Sequence, residues 1–529
     1  MESKLTAAAR YDALLQYRNA YQQAAYNSAA LTIPALVPHE TDNGDQDDRT
    51  RATLHIPAQS LGARGVNNLA AKLLLALFPP NAPLFRYVID ASVKSTAQGE
   101  ELNAANSLLS EREAIINADI ESGIYKPKLS EAFKQLIVAG NVLLLLDDAK
   151  MRVFRLDRYV VKRGPMGEVV EVVVKESLDR STLSPEIYKL CASEDPDFEN
   201  KDTAKDDDEP IALYTWIKRK GNRFIEHQEV KGQKVPGSEG SFPIDSPRWL
   251  PLTFTRCDGE DYGRGMVEEL IGDLTTFNAL NKAIREDAAI GAHTVFAVDP
   301  NSPPGLERTL NTAPNGGYVR CEPTAVIPLR ADKTGDLRVG FQVLESLKTD
   351  LSFMFLLNSA VQRSGDRVTA TEIQQLAREL ETTQSGLYSV LAEELVLPVV
   401  VAHERELEKG SKIAPLPNGM VRPTIVTGLD ALGRSGDLIK LQGVLGDVGA
   451  LAQMDPSAAQ LLNSKAVVQA IFEGHSVVAD GKIKSEEQLQ QEQQAAQQQQ
   501  QQAQTQEMMG GVVEGVAPEM AKGLMTPQQ

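Results

Sequence analysis

The chain has 529 residues, a formal net charge of −18 and 24% charged residues. Its length requires several domains, or one domain with large extensions, and its ordinary apolar content of 42% excludes general disorder. Its acidity argues against a broad basic face that would grip duplex DNA by neutralising phosphates.

No segment suggests a membrane span, a secretion signal or a thiolate site. The apolar runs fall short of the roughly 18 residues that cross a bilayer, and residues 1–4 lead into a polar, alanine-rich helix without a signal-peptide core. The cysteines, Cys191, Cys257 and Cys321, have no short spacing. We therefore expect a protein that stays in the cytoplasm where it is made and has no membrane partner.

The first half of the chain mixes helices with a run of strands. Apolar spacings of three and four predict helices over residues 5–30, 61–78 and 131–139. Alternating patterns predict strands over residues 142–146, 153–156, 159–162, 169–175, 211–217 and 223–230. An acidic stretch before Pro210 is expected to be a solvated loop. Together with the long helices downstream, this predicts an α+β fold that is predominantly helical.

The second half follows the order helix, insert, helix, loop, helix. Residues 265–290 predict a helix roughly 39 Å long at about 1.5 Å per residue, and residues 339–358 predict another. The insert between them is rich in proline, glycine and short strands. A polar loop then precedes a third helix, which starts with a capping box at Thr369 and Glu372 and which we expect to end at Pro398.

The last third is less regular. Residues 424–482 show short helices separated by glycines, and residues 485–507 contain 13 glutamines. Glutamine is a good helix former, but such low-complexity tracts are also typical of disorder. Both alternatives stay open: a helix, or a disordered tail.

Motifs for catalysis are missing from the sequence. Residues 142–146, followed by Asp147 and Asp148, are similar to the magnesium-binding strand of ATPases, yet no phosphate-binding G-x-x-x-x-G-K-[ST] loop occurs. A strand that runs into a turn is the simpler interpretation. The six histidines are scattered, and neither H-E-x-x-H nor G-x-S-x-G occurs. We predict no enzyme activity, no catalytic residues, no cofactor and no metal.

One sequence run carries a family resemblance. Residues 59–70, QSLGARGVNNLA, followed by Lys72-Leu73 and Leu77-Phe78-Pro79, resemble the N-terminal signature of portal proteins from short-tailed phages that carry their own RNA polymerase. Further similar motifs follow in the family's order at residues 138–144, 262–265, 268–274, 357–363 and 423–429. The resemblance covers about residues 10–450.

The resemblance implies the phage portal fold, which assembles into a ring, usually of twelve copies. The wing would be residues 1–264, the stem helices 265–290 and 339–358, the clip 291–338 and the tunnel loop 359–368. Residues 369–423 would be the wing return helix, 424–484 the crown, and 485–529 a barrel helix or disordered tail.

The polar loop is the candidate site. It contains Arg363, Ser364, Asp366 and Arg367 around a glycine. Taken alone, it also fits an ordinary connection between two helices with solvated charges. The resemblance implies that it faces DNA. A ring repeats each arginine in a circle of positive charge, while an acidic lumen repels phosphate and lets DNA slide.

The resemblance also implies a function and partners. The chain would be a structural subunit of the channel for packaging and ejecting double-stranded DNA at a capsid vertex. It would dock the terminase large subunit and then tail adaptor proteins at the clip, and would meet the major capsid and scaffolding proteins. It would assemble in the host cytoplasm and remain in the virion. The alternatives are another virion scaffold or tail-tube protein and, last, a DNA-processing enzyme.

Overall fold

The structure is a computed structural model that describes most of the first 425 residues. The described residues are 6–38, 54–79, 84–89, 99–123, 125–147, 150–194, 211–292, 295–302, 304–314, 318–322, 325–329, 334–357, 387–416, 421–425, 443–446, 448–449 and 467–468. The chain divides into one unit of Met1–Thr96 with Arg112–Leu432 and another of Ala97–Glu111 with Gly433–Gln529. The first unit contains the sheets and the helices that pack on them.

The described residues form helices and strands throughout the first unit. The helices are α1 (Ala7–Ala30), α2 (Leu61–Leu77), α3 (Gly99–Ser122), α4 (Lys126–Ala139), α5 (Pro185–Glu194), α6 (Met266–Glu269), α7 (Ile271–Ala292), α8 (Leu306–Thr312), α9 (Thr334–Met354), α10 (Leu387–Leu391) and α11 (Leu397–Lys409). The strands are β1 (Phe85–Ile89), β2 (Asn141–Asp147), β3 (Lys150–Phe154), β4 (Tyr159–Arg163), β5 (Val169–Leu178), β6 (Ile211–Lys220), β7 (Arg223–Val230), β8 (Gln233–Lys234), β9 (Gly240–Pro243), β10 (Trp249–Thr253), β11 (Val295–Val298), β12 (Val326–Leu329) and β13 (Val421–Ile425). The expected mixture of helices and strands is confirmed.

The N-terminal helix packs on a six-stranded antiparallel sheet. The strand order is β4-β5-β6-β7-β8, with β9 also paired to β7. One side of α1, including Tyr11 and Leu14, is buried in a cluster that contains Trp216. Arg10 donates to both oxygens of the buried Glu171, which also accepts a hydrogen bond from the Trp216 indole. Buried charge is thus paired where the helix meets the sheet.

A second sheet, in the order β10-β2-β3, packs against α4. Its central strand β2 is buried from Asn141 to Leu146, which explains its continuous apolar sequence. The strand leads into a hairpin, in which Asp147 lies opposite Lys150 and forms an ion pair with Arg248. Asp147 therefore has a structural partner, as expected for a strand that ends in a turn.

The helix, insert, helix order is present. Helices α7 and α9 pack against each other, and the insert between them contains α8 and the antiparallel pair β11–β12. The first predicted helix is interrupted at Leu270, whose N–H bonds back to the carbonyls of Val267 and Glu268 in a tight turn. The second ends at Met354, four residues before its predicted end at residue 358.

The predicted end of the third helix at Pro398 is wrong. The capping-box residues lie outside the described residues, and the helix is seen from α10 through a π-helical turn, Ala392–Val396, into α11. Pro398 lies in the first turn of α11, next to that wider turn, where its missing N–H costs little. The helix therefore continues to Lys409.

Strands β1 and β13 are held to α11 by a buried arginine. Arg112 donates to Glu404 at 2.7 Å and to Glu408 at 2.5 Å, and its Nε lies 3.1 Å from the Tyr87 hydroxyl. Strand β13 crosses residue 424, where the crown is predicted to begin. The glutamine-rich segment lies outside the described residues. No described helix is long and apolar enough to cross a bilayer.

Candidate functional site

The predicted loop residues Arg363, Ser364, Asp366 and Arg367 all lie outside the described residues. The two helices that correspond to the predicted stem are described, and so are the residues that hold them. We define the upstream anchor, before α7, as Gly140, Asn141, Tyr262, Gly263 and Gly265. The downstream anchor, after α9, consists of Gly65, Asn68, Lys72, Phe355 and Leu356.

The upstream anchor begins where α4 ends. Gly140 has a left-handed backbone with φ of +71° and donates its N–H to Leu136 at 2.9 Å, which terminates the helix. A Cβ on Gly140 would lie 2.8 Å from the Arg264 Cα, and one on Gly265 would lie 2.7 Å from the Val138 carbonyl oxygen. The two backbones are therefore in direct contact, and this spacing requires glycine.

Asn141 connects the two backbones of the upstream anchor. Its buried side-chain amide accepts a hydrogen bond from Gly263 N–H at 2.7 Å and donates one to the Gly263 carbonyl at 2.6 Å. Tyr262 is fully buried, and its hydroxyl oxygen accepts from Val161 N–H at 3.0 Å. Burial raises the pKa of Tyr262 far above its usual value. The chain is thus fixed a few residues before α7 begins.

The downstream anchor ends α9 with an unusual cap. Leu356 has a left-handed backbone with φ of +53°. Its N–H bonds to Phe353, and Leu357 N–H bonds to Ser352 at 2.8 Å, which is the Schellman hydrogen-bond pattern. That position usually belongs to glycine, and a larger residue there costs about 1–2 kcal/mol. Contacts from elsewhere must offset this cost.

Helix α2 supplies those contacts. Asn68 donates to the carbonyls of Phe355 and Leu356 at 3.1 and 3.0 Å, and the Lys72 ammonium donates to the Leu356 carbonyl at 2.7 Å. Lys72 is only 5% exposed. A cation at a helix C-terminus interacts favourably with the unpaired carbonyls, and hydrogen bonds from a charged donor contribute about 1.5–3 kcal/mol. This is enough to stabilise the strained cap.

Phe355 completes the downstream anchor by packing on a glycine. Its ring is fully buried, and a Cβ on Gly65 would lie 2.6 Å from the Phe355 Cδ2. Helix α2 also packs against α10. It therefore contacts described elements on both sides of residues 358–386, the segment that contains the predicted loop.

The anchors give a physical role to motifs that the sequence showed only as a resemblance. Residues 138–144 and 262–265 meet in the upstream anchor. Downstream, residues 59–72 meet Phe355 and Leu356, which directly precede motif 357–363. Sequence reasoning assigned no role to Asn68 or Lys72. The available signal was a lysine within the apolar helix 61–78. Among the described residues, no group of three or more histidine, cysteine or acidic side chains is arranged to hold a metal.

Known proteins are similar to this chain over most of its length. The sequence profile of the family described as "Bacteriophage head to tail connecting protein" matches residues 4–480. The chain belongs to this family. Its relatives include the "Portal protein" of Escherichia phage T7, 36% identical over 493 residues, which are 91% of this chain and 88% of that protein. The "Portal protein" of Enterobacteria phage SP6 is 28% identical over 80% of this chain and 79% of its own length.

The predicted resemblance to portal proteins of RNA-polymerase-carrying podophages is therefore confirmed. The "Portal protein" of Pseudomonas phage phiKMV is 29% identical over 92% of this chain and 93% of its own length. Among solved structures, the neck of an empty gene transfer agent particle aligns over 78% of this chain and 90% of that one, with 12% identity and a TM-score of 0.37. At that score the structural likeness adds nothing to the assignment.

Proposed function

We propose that this chain is a structural subunit of a phage portal, a ring whose axial channel passes double-stranded DNA at a capsid vertex during packaging and ejection. The observation that carries the proposal is 36% identity to the T7 portal protein over about nine-tenths of both chains. The paired helices α7 and α9 fit a channel wall. The upstream anchor fixes the chain before α7, and the downstream anchor fixes it after α9. The two alternatives, a scaffold or tail-tube protein and a DNA-processing enzyme, gain no support from these relatives.

Exposed apolar side chains on α9 support assembly into a ring. Val339 is 60%, Val343 43% and Phe353 65% exposed, and at about 100° per residue the three share one side of the helix. Phe341, 52% exposed, lies on the opposite side. A ring needs two different surfaces on each subunit, because its interfaces are heterologous. Neighbouring copies on either side would cover these residues.

The proposed DNA contact is the loop at residues 359–368, with Arg363, Ser364, Asp366 and Arg367 towards the channel. A net charge of −18 for each subunit disfavours tight binding of phosphate elsewhere. Repetition of two arginines around the ring gives weak contacts at many points, which hold DNA in the channel without preventing movement.

The other proposed partners follow from the role in the virion. The insert at residues 291–338 would dock the terminase large subunit and later the tail adaptor proteins. The ring would meet the major capsid and scaffolding proteins in the host cytoplasm and remain at the portal vertex of the virion. It would carry out no reaction itself, so the ATPase that drives packaging would be a separate protein.

Replacing both loop arginines tests the DNA contact. We expect virions with Arg363→Ala and Arg367→Ala to lose packaged genome several times more readily than wild type when heated, because the ring loses its circle of positive charge. The measurement is genome length and the fraction of full particles in purified virions. A matched control, Arg219→Ala with Lys220→Ala, removes two exposed cations from strand β6. Equal genome retention in the loop variant and this control would refute the contact.

A further inference from the structure

The sequence around the end of α9 does not stop a helix by itself. From Phe353 to Ala360 the chain contains neither glycine nor proline, and the next glycine is Gly365. This is why the apolar spacing predicts a helix as far as residue 358. The helix nevertheless ends at Met354. Leu356, two residues later, has the left-handed conformation that glycine usually adopts after a helix end. Something outside the segment therefore ends the helix.

That outside contact is the polar pair on α2. Asn68 and Lys72 direct three hydrogen bonds at two successive carbonyls, those of Phe355 and Leu356. In a continued helix, these carbonyl oxygens would accept from N–H groups four residues downstream and would lie along the helix axis. In the ended helix, these oxygens instead accept from the Asn68 amide and the Lys72 ammonium, which stabilises that arrangement of the two carbonyls. The pair on α2 therefore favours the ended helix over the continued one.

Helix α2 is itself firmly placed. Gln59, just before it, donates to the Leu31 carbonyl at 2.6 Å and accepts from Gly62 N–H at 2.8 Å, which joins its start to the end of α1. A Cβ on Gly62 would lie 2.6 Å from the same Leu31 carbonyl. Helix α2 also packs along α4. The pair that ends α9 is thus tied to the helices that pack on both sheets.

We infer that Asn68 and Lys72 are positioning residues, which end α9 at Met354 and so set the point from which the channel loop starts. Without them, α9 would continue towards residue 358, which moves the start of the loop by about one turn, roughly 5–6 Å. Because a ring repeats this shift in each subunit, the pair would set how far the loops reach into the channel. The role of the pair in ending α9 does not depend on the proposed function. Its effect on how the loop contacts DNA rests on that proposed function.

Hydrogen exchange on assembled rings tests the inference directly. In Asn68→Ala and Lys72→Met, we expect the exchange rates of the Leu356 and Leu357 amides and of amides 358–361 to change several-fold, because the helix end moves. The matched control is Asn67→Ala, since the Asn67 amide is exposed and donates within its own helix, to the Ala63 carbonyl at 2.8 Å. Exchange in β5 and β6 should stay the same in every variant, which reports an intact fold.

A rescue variant separates positioning from general loss of packing. Adding Leu356→Gly to Asn68→Ala restores a residue that adopts the left-handed conformation without strain, so the helix should again end at Met354 and the exchange pattern should return to wild type. If Asn68 acted only by packing, losing the buried Leu356 side chain would make exchange faster still. Asn68→Ala rings that match Asn67→Ala, or no rescue by Leu356→Gly, would overturn the inference.

Genome retention distinguishes this inference from the proposed function. If exchange shifts as expected and the loop-arginine virions also lose DNA, both stand. If exchange shifts while those virions keep their DNA, positioning stands and the DNA contact fails. If exchange does not shift, the inference fails whatever the virions do. Should Lys72→Met fail to assemble because its methionine disturbs a buried site, the smaller change Asn68→Ala still decides.

Discussion

Gly140→Ala is expected to lower the free energy of unfolding by about 2–5 kcal/mol, the combined cost of a left-handed alanine and of overpacking. Gly140 has a φ of +71°, and its new methyl group would meet the backbone of Arg264 and Gly265. The Asn141 hydrogen bonds to Gly263 hold the two backbones together, which opposes their separation. The measurement is the midpoint of thermal and denaturant unfolding of the purified protein.

Gly272→Ala is the control for this prediction. Gly272 lies in α7, where an added methyl group would have nothing within 4 Å, and it has no left-handed backbone. Alanine favours helix over glycine by up to about 1 kcal/mol, so this variant should be neutral or slightly stabilised. If Gly140→Ala and Gly272→Ala unfolded at the same midpoint, the upstream anchor would not have the tight backbone contact described.

Gly65→Ala is expected to destabilise the chain by about 1–3 kcal/mol, the usual cost of forcing a methyl group into a packed core. The new Cβ would lie 2.6 Å from the Phe355 Cδ2, so the ring must move and α9 must shift with it. Phe355→Leu alone should also destabilise, because it leaves a gap. Together the two changes should cost less than the sum of the single ones, since leucine leaves room for the methyl group.

Unfolding midpoints of the two single variants and the double variant measure this coupling. Gly340→Ala is the matched control, because Gly340 lies on α9 itself and has nothing within 4 Å of the methyl position. It should not couple to Phe355→Leu. Strictly additive effects of Gly65→Ala and Phe355→Leu would mean that the Phe355 ring does not rest on α2 as described.

Local sequence was sufficient to predict helices and strands where the apolar periodicity of a segment determines its structure. The spacing in α1 and α2 predicts those helices to within about two residues. In the predicted hairpin, β7 has the expected bounds and β6 extends three residues beyond its predicted end. The continuous apolar run in β2 is explained by its place at the centre of a sheet. These elements depend on contacts that their own patterns already encode.

Local sequence failed where a distant contact decides the outcome. The end of α9 depends on Asn68 and Lys72, more than 280 residues earlier in the chain. Strand β1 pairs with β13, a partner that no periodicity identifies. Pro398 is a reasonable helix end by propensity alone, but a π-helical turn places it where proline is tolerated.

The same distinction applies to the candidate site. Sequence and family resemblance together point to Arg363 and Arg367, which lie outside the described residues, and this assignment remains a prediction. The signature around residues 59–72 marks the right region without showing why it matters. Gly65, Asn68 and Lys72 of this signature contact Phe355 and Leu356. These residues are far apart in sequence and come together only in the folded chain.

Copies of this chain are proposed to form a ring around a DNA channel. Electron cryomicroscopy of the purified assembly, with its mass measured on the same sample, is the decisive experiment. We predict a ring with an axial channel bordered by α7 and α9; twelve copies of 57.6 kDa give a mass of about 691 kDa. A monomer, an open filament, or a ring with α7 and α9 on its outer rim would contradict the proposal.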